Sequence, residues 1–218
     1  IWALMEYIQR PQWRYLILIG LFSGCAMLNK WVTGLLVFEG LLVYSLMQGV
    51  KLLPKNSLRL GFSVIIAFML FLPWQLYCFT HFHDNALYEW TYNQRHFWEV
   101  LEGHSHERDF YINQLKFQFS FLQAFIFTGI LLSLFKMERF KYILPLLVMV
   151  VSLYIFFTIA ATKIASYVMV TMPLLFVFMA YAFTSVFDFF RTRNTGVGVA
   201  LYLLIVPLVL VQNFNYSR

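Results

Sequence analysis

The feature that most constrains this chain is a succession of apolar runs, each near the length of a bilayer core and joined mostly by short basic connections. Residues 15–29, 31–47, 60–77, 112–135, 142–161, 167–187 and 197–211 form such runs, and a helix spanning hydrocarbon needs about 20 apolar residues. The expected fold class is therefore all-α, a polytopic transmembrane helix bundle. Composition agrees: 61% hydrophobic, 12% charged and a mean hydropathy of +0.70 lie far from a soluble domain, with about 25% charged residues. Residues 1–8 read as the tail of a helix that Gln9-Arg10-Pro11 ends, because the residue before proline is driven out of helical geometry. The runs 15–29 and 31–47 meet at Lys30 and are each short for a full span, so a hairpin of short or tilted helices is expected there. The end of the 60–77 span is marked by Leu72-Pro73-Trp74. Without a linker, residues 1–218 are expected to form a single transmembrane domain. The opening at Ile1, part-way through a helical pattern and with no signal peptide, reads as the start of a fragment.

Orientation follows from the basic residues, which favour cytoplasmic loops. Alternate connections carry Arg10 and Arg14; Lys51, Lys55 and Arg59; Lys136, Arg139 and Lys141; Arg191 and Arg193, ten of the 16 basic residues. These four connections are expected on the cytoplasmic side. The Lys30 turn, residues 81–111, the Thr162–Ser166 turn and the C-terminal end then face the opposite side. The net charge of +6 is spread over the ends of apolar runs, with no basic patch, so nucleic acid is excluded as a partner. Cys25 and Cys78 sit in or at the end of apolar helices and suggest neither a disulfide framework nor a zinc site.

Residues 81–111 are the only long polar interval. They hold all five histidines, His81, His83, His96, His104 and His106, and six of the ten acidic residues. Trp90, Tyr92, Phe97, Trp98, Phe110 and Tyr111 alternate with charges, a pattern suited to short helices lying in the membrane interface within one large extracytoplasmic loop.

Several polar residues could carry chemistry, and each has an ordinary alternative. Lys30 either snorkels to the interface or offers an ammonium to a phosphate. Glu39, inside an apolar run, is costly unless paired with a neighbouring helix or used. Glu102-Gly103-His104-Ser105-His106-Glu107 gathers imidazoles and carboxylates around a glycine that permits a tight turn. It reads either as a solvated loop or as a place to bind a divalent cation or move protons. Arg95 offers a forked donor for phosphate or carboxylate, or is a solvated interfacial arginine. Thr162-Lys163-Ile164-Ala165-Ser166-Tyr167 sets a second cation beside hydroxyls and an aromatic ring. Under the expected topology Lys30, Arg95 and Lys163 converge on one face, where an anionic lipid headgroup would fit.

The run Gly20-Leu21-Phe22-Ser23-Gly24-Cys25-Ala26-Met27-Leu28-Asn29-Lys30, followed by Gly34, resembles the G…G-x-A-x-L-(T/N)-K-x…G segment of polyprenyl-phosphate-dependent glycosyltransferases of the GT-C fold. The nearest branch is glycosyltransferase family 39, the dolichyl-phosphate-mannose protein mannosyltransferase and aminoarabinose lipid A transferase group. Leu72-Pro73-Trp74, then Tyr92-Asn93-Gln94-Arg95 through Glu102-Gly103-His104-Ser105, then Lys163 to Tyr167 with Pro173 behind, follow in the family's order. The resemblance implies transfer of a sugar from a polyprenyl phosphate to a lipid, glycan or protein acceptor on the extracytoplasmic face of a bacterial inner membrane. It implies donor-phosphate binding by Lys30, Arg95 and Lys163, with Tyr167 shaping the pocket. Tyr92, Glu102, His104 and His106 are candidates for an acceptor or loop site, with His104 a candidate ligand for a divalent metal cation. The resemblance also implies that the family's acidic catalytic residue is to be expected upstream of Ile1. A transporter or flippase of an anionic polyprenyl lipid is a second reading, though no inverted repeat is seen; a non-catalytic binder is a third.

Overall fold

The computed structural model describes residues 1–135, 137–193 and 196; the expected run 197–211 lies outside the described residues. The described elements are helical, with no strand among them. They run α1 (Trp2–Gln9), α2 (Trp13–Met47), α3 (Leu53–His81), α4 (His83–Trp98), α5 (Phe110–Phe119), α6 (Gln123–Leu134), α7 (Met137–Ile159) and α8 (Met172–Arg193), with 3-10 turns at Val50–Leu52, Ser120–Leu122 and Ala165–Thr171. Among the described residues four stretches are long and apolar enough to cross a membrane: Val50–His81, Phe110–Leu134, Arg139–Ile159 and Ala165–Thr192, with a shorter apolar helix at Val32–Met47. The protein is a polytopic helical membrane protein.

The local signals act as their chemistry requires. Arg10, held before Pro11, is extended (φ −137°, ψ 91°) and ends α1. Lys30 breaks α2 with φ −150° and ψ 94°, and the chain reverses there. A Cβ on Gly34 would stand 2.8 Å from the Ser23 carbonyl oxygen and 2.7 Å from the Met27 amide nitrogen. Eleven residues of unbroken helix would hold Ser23 and Gly34 about 16 Å apart. Residues 13–29 and 31–47 are thus the two limbs of a tight helical hairpin, and only a residue without a side chain fits where they cross. One expectation is corrected. Leu72-Pro73-Trp74 does not close the third span, because α3 continues through Pro73 to His81; membrane helices tolerate the missing bond. The expected run 167–187 falls within the stretch Ala165–Thr192, which opens with the 3-10 turn and continues as α8.

The chain forms two compact units, one of Ile1–Tyr111 with Met137–Thr171, the other of the described residues in Ile112–Lys136 and Met172–Arg218. In the first unit the outgoing limb of α2 runs parallel to α3 and meets it through small residues. A Cβ on Gly20 would lie 2.7 Å from the Ser63 carbonyl oxygen, and one on Gly24 2.9 Å from that of Ala67. Both partners are fully buried, and Ser63 Oγ donates to the Leu16 carbonyl at 3.0 Å. Lipid tails are as apolar as leucine, so such close approach, rather than a hydrophobic drive, holds membrane helices together. The returning limb packs on α7, where Gly40 admits Met149 and Leu4 and Ser152 Oγ donates to Glu39 Oε2 at 2.7 Å. Glu39 therefore has a structural partner on a neighbouring helix.

The first unit has two unlike ends. At one, Arg59 donates to the Tyr7 hydroxyl at 3.2 Å and lies over the Trp13 ring, while Arg14, Tyr15 and Glu6 form a hydrogen-bonded chain. At the other end the Lys30 turn, the segment after α7 and the polar interval come together over a buried cluster of Tyr111, Leu153, Phe157 and Val168. In the second unit α6 and α8 pair through Gly129, set directly against the Phe178 backbone carbonyl, and through the stacked rings of Phe125 and Phe183, 4.3 Å apart.

Candidate functional site

The polar interval contributes one 16-residue helix and a loop. The acid of its first turn, Asp84, and the bases of its last, Arg95 and His96, match the ends of the helix dipole, so α4 is a locally consistent helix although none of its residues is buried. Its C-terminus is anchored by distant chain. The last carbonyls of a helix have no partner within it; here Thr162 N–H donates to the His96 carbonyl and Ala161 N–H to that of Phe97, each at 3.0 Å. The loop that follows is tied by Leu101 N–H to Thr162 Oγ1 at 3.0 Å, by Thr162 Oγ1 to the Glu99 carbonyl at 2.8 Å, and by Lys163 N–H to the His104 carbonyl at 3.2 Å.

Between those ties the chain makes a tight turn. His104 N–H donates to the Leu101 carbonyl at 3.1 Å, and the two central residues, Glu102 and Gly103, have φ of 56° and 73°, the pattern of a type I′ turn. Gly103 takes that conformation freely; Glu102 does so at a cost of about 1–2 kcal/mol. The turn presents the Glu102 carboxylate to the Tyr92 hydroxyl, which donates to it at 2.6 Å. That bond is the main cause holding the Tyr92 phenol above its ordinary pKa. His104 Nε2 lies 4.0 Å from Glu102 Oε2. The segment that carries Tyr167 is tied to this turn by the bond from Lys163 N–H to the His104 carbonyl. Lys30 Nζ sits 4.2 Å from the Tyr167 ring centroid, a cation–π contact worth about 0.5–2 kcal/mol depending on solvent access.

The structure thus brings Lys30, Tyr92, Glu102, His104 and Tyr167 together from three distant stretches. The other three candidates are placed differently. Arg95 is exposed and grips Glu99 one turn along α4 through Nε and Nη2, both at 2.8 Å; the Glu99 carboxylate raises its pKa. Lys163 is buried, 7% exposed, and its ammonium donates to the Ala160 carbonyl at 2.9 Å, capping the end of α7. His106 stacks on Phe110 with centroids 4.1 Å apart. Two residues that the sequence offered only as an interfacial aromatic and as a hydroxyl beside Lys163 hold the site. Tyr111, fully buried, donates to the Ile164 carbonyl at 3.3 Å and accepts its N–H at 3.2 Å. Thr162, also fully buried, makes the ties described above. A hydroxyl directly before Lys163, in an otherwise apolar approach, was the only signal for Thr162.

A divalent metal was a candidate at His104. Among the described residues no three His, Cys, Asp or Glu side chains gather into a metal-holding group; His104 and Glu102 would offer one imidazole and one carboxylate, and no step below passes through a metal.

The fold and this end of the first unit define the chain as a membrane protein of several helical spans with a polar site at one end of the bundle. Residues 1–77 match the family model of the dolichyl-phosphate-mannose-protein mannosyltransferases, about a third of the chain, including the Lys30 hairpin and most of α3. No curated protein matches the chain, and no solved structure does.

Proposed function

We propose that the protein is a membrane glycosyltransferase that binds a polyprenyl-phosphate sugar at the Lys30–Tyr167–Glu102 end of its first unit and passes the sugar to an acceptor on the extracytoplasmic face. One observation carries the reading: Lys30, within the segment similar to the mannosyltransferase family, is set on the ring of Tyr167, whose segment is tied to the polar loop through Lys163 N–H and the His104 carbonyl. In the reaction the bond between sugar C1 and the phosphate oxygen breaks, the acceptor oxygen or nitrogen bonds to C1, its proton leaves, and polyprenyl phosphate departs. Negative charge grows on the phosphate as its bond to C1 lengthens, so a cation placed there favours the transition state over the bound donor. Lys30 is the exposed ammonium suited to that task. Buried Lys163 would act only if the donor phosphate reached the end of α7, and Arg95 only by sharing its guanidinium with Glu99. No residue of this chain is assigned the proton-accepting role.

The basic connections support an orientation with the Arg14–Arg59 end in the cytoplasm, and the exposed Tyr88, Trp90 and Trp98 of α4 suit a helix lying at headgroup depth on the other side. The test is sugar transfer by the protein in proteoliposomes, from a radiolabelled panel of polyprenyl-phosphate sugars to membrane extract. Lys30→Ala should weaken binding of the donor about tenfold or more, the value of a hydrogen bond to a charged group, while Lys55→Ala at the opposite end should leave it unchanged. Equal losses from both variants would remove the proposed site. Labelled lipid that binds but is never transferred would favour a carrier of polyprenyl lipids.

A further inference from the structure

Resting on the reading that the Lys30 end binds the donor, we propose that Thr162 is the positioning residue of this site, a clamp that ties the Glu102 turn to the segment carrying Tyr167 without touching substrate. The side chain is fully buried. Its hydroxyl is used twice, donating to the Glu99 carbonyl at 2.8 Å and accepting Leu101 N–H at 3.0 Å. Its own N–H closes the end of α4 through the His96 carbonyl at 3.0 Å. The residues on either side repeat the pattern, Ala161 on Phe97 and Lys163 on His104. One three-residue segment thus fastens both the end of the helix that carries Tyr92 and the turn that carries Glu102.

The clamp is needed because the turn does not hold itself in place. Glu102 occupies a left-handed conformation (φ 56°) that a side chain rarely adopts, and such conformations persist only where the surroundings over-determine them. The Glu102 and Gly103 side of the turn is exposed, so packing does not supply that constraint. The Leu101 N–H that precedes the turn and the Glu99 carbonyl that ends α4 are both held by the Thr162 hydroxyl. Of the three clamp residues, Thr162 is also the one whose side chain bonds the loop, so it can be altered to remove loop ties while leaving every backbone bond in place.

Valine has the shape of threonine without the hydroxyl, so Thr162→Val deletes two loop ties and leaves their backbone partners unmatched. If the loop is then competent only about a tenth of the time, apparent affinity falls about tenfold while turnover from the competent complex is retained. The experiment measures three quantities on the whole protein in nanodiscs: amide hydrogen exchange across residues 96–104, binding of undecaprenyl monophosphate, and KM and kcat with whichever panel donor is transferred. Thr162→Val should exchange faster over 96–104, bind the lipid phosphate about tenfold more weakly and raise KM by the same factor, with kcat within about twofold. Thr162→Ser should behave as wild type, and so should Thr184→Val, which alters an exposed threonine of α8. Should the valine variant not fold, Thr162→Cys, with a weak donor in place of the hydroxyl, stands in and the same split is expected.

Unchanged exchange in the valine or cysteine variant overturns the clamp. Faster exchange with unchanged affinity and KM reduces Thr162 to a structural residue and overturns the positioning role. A wild-type protein that neither binds undecaprenyl monophosphate nor transfers sugar overturns the donor-site reading and the positioning role with it, while faster exchange over 96–104 in Thr162→Val then shows that the tie to the turn stands and the failure lies in the reading of the site.

Discussion

Replacing Gly34 by alanine tests whether the α2 hairpin, and Lys30 at its tip, depends on direct contact between the limbs. The added Cβ would lie 2.7 Å from the Met27 amide nitrogen and 2.8 Å from the Ser23 carbonyl oxygen. Both are backbone atoms that cannot turn aside as a side chain could, so the limbs must part by several tenths of an ångström. Overpacking of this kind costs typically about 1–3 kcal/mol. Helix propensity works in the opposite direction, since alanine is favoured over glycine in a helix interior by about 1 kcal/mol. Gly61 in α3 isolates that second effect, because a Cβ there meets nothing within 4 Å. Gly61→Ala should therefore hold or raise stability, while Gly34→Ala should fall below it by about 2 kcal/mol. For a protein of this size that is about 4–8 °C between the two midpoints, readable by tryptophan fluorescence during heating in detergent. Gly34→Ala should also weaken lipid-phosphate binding, since Lys30 lies one turn away. Equal midpoints for the two variants, or a higher one for Gly34→Ala, would refute the close crossing and with it the explanation of how Lys30 is held.

Three further outcomes are expected. The Tyr92 pKa is raised chiefly by donation to Glu102, so that bond is complete below the ordinary tyrosine value of about 10 and is lost as pH climbs through the raised value. The ultraviolet difference between wild type and Tyr92→Phe should accordingly titrate later than a free tyrosine, and a difference that titrates with free tyrosine would contradict the bond. Ser152→Ala, which removes the donor to Glu39, should lower stability by about 0.6–1.7 kcal/mol, the range for interhelical bonds within a bilayer, as read by unfolding in mixed micelles; no change would leave Glu39 without its structural explanation. Lys163→Met, which keeps the length of the side chain but removes the cap on Ala160, should lower the thermal midpoint more than Lys30→Met does, because Lys163 is buried and Lys30 exposed. The reverse order would place Lys163 in solvent.

The hairpin at Lys30 was legible in sequence because two runs, each too short to span, met at a charge; that Gly34 sits at the crossing came only from the structure. The end of α1 was legible because Pro11 acts on its immediate neighbour. The end of α3 was misread for a related reason: proline's local penalty is real, but in a membrane helix it need not end the helix. The site was legible as a set of polar residues on one face, not as an arrangement. Nothing in the sequence ranks Lys30 against Lys163, two lysines beside apolar runs; the fold exposes one on the Tyr167 ring and buries the other on the Ala160 carbonyl.

The amino-acid sequence by itself determined that this is a helical membrane protein, and where most of its helices lie, because partition into hydrocarbon depends on the apolar length of each segment taken alone. The tertiary structure decided which polar residues share a site. Lys30 meets Tyr167, and Thr162 grips Glu99 and Leu101, only because α2 folds back and α7 returns beside it. Hydrogen-bond partners and solvent access are set by whatever chain arrives from elsewhere, and neighbouring residues carry no record of it.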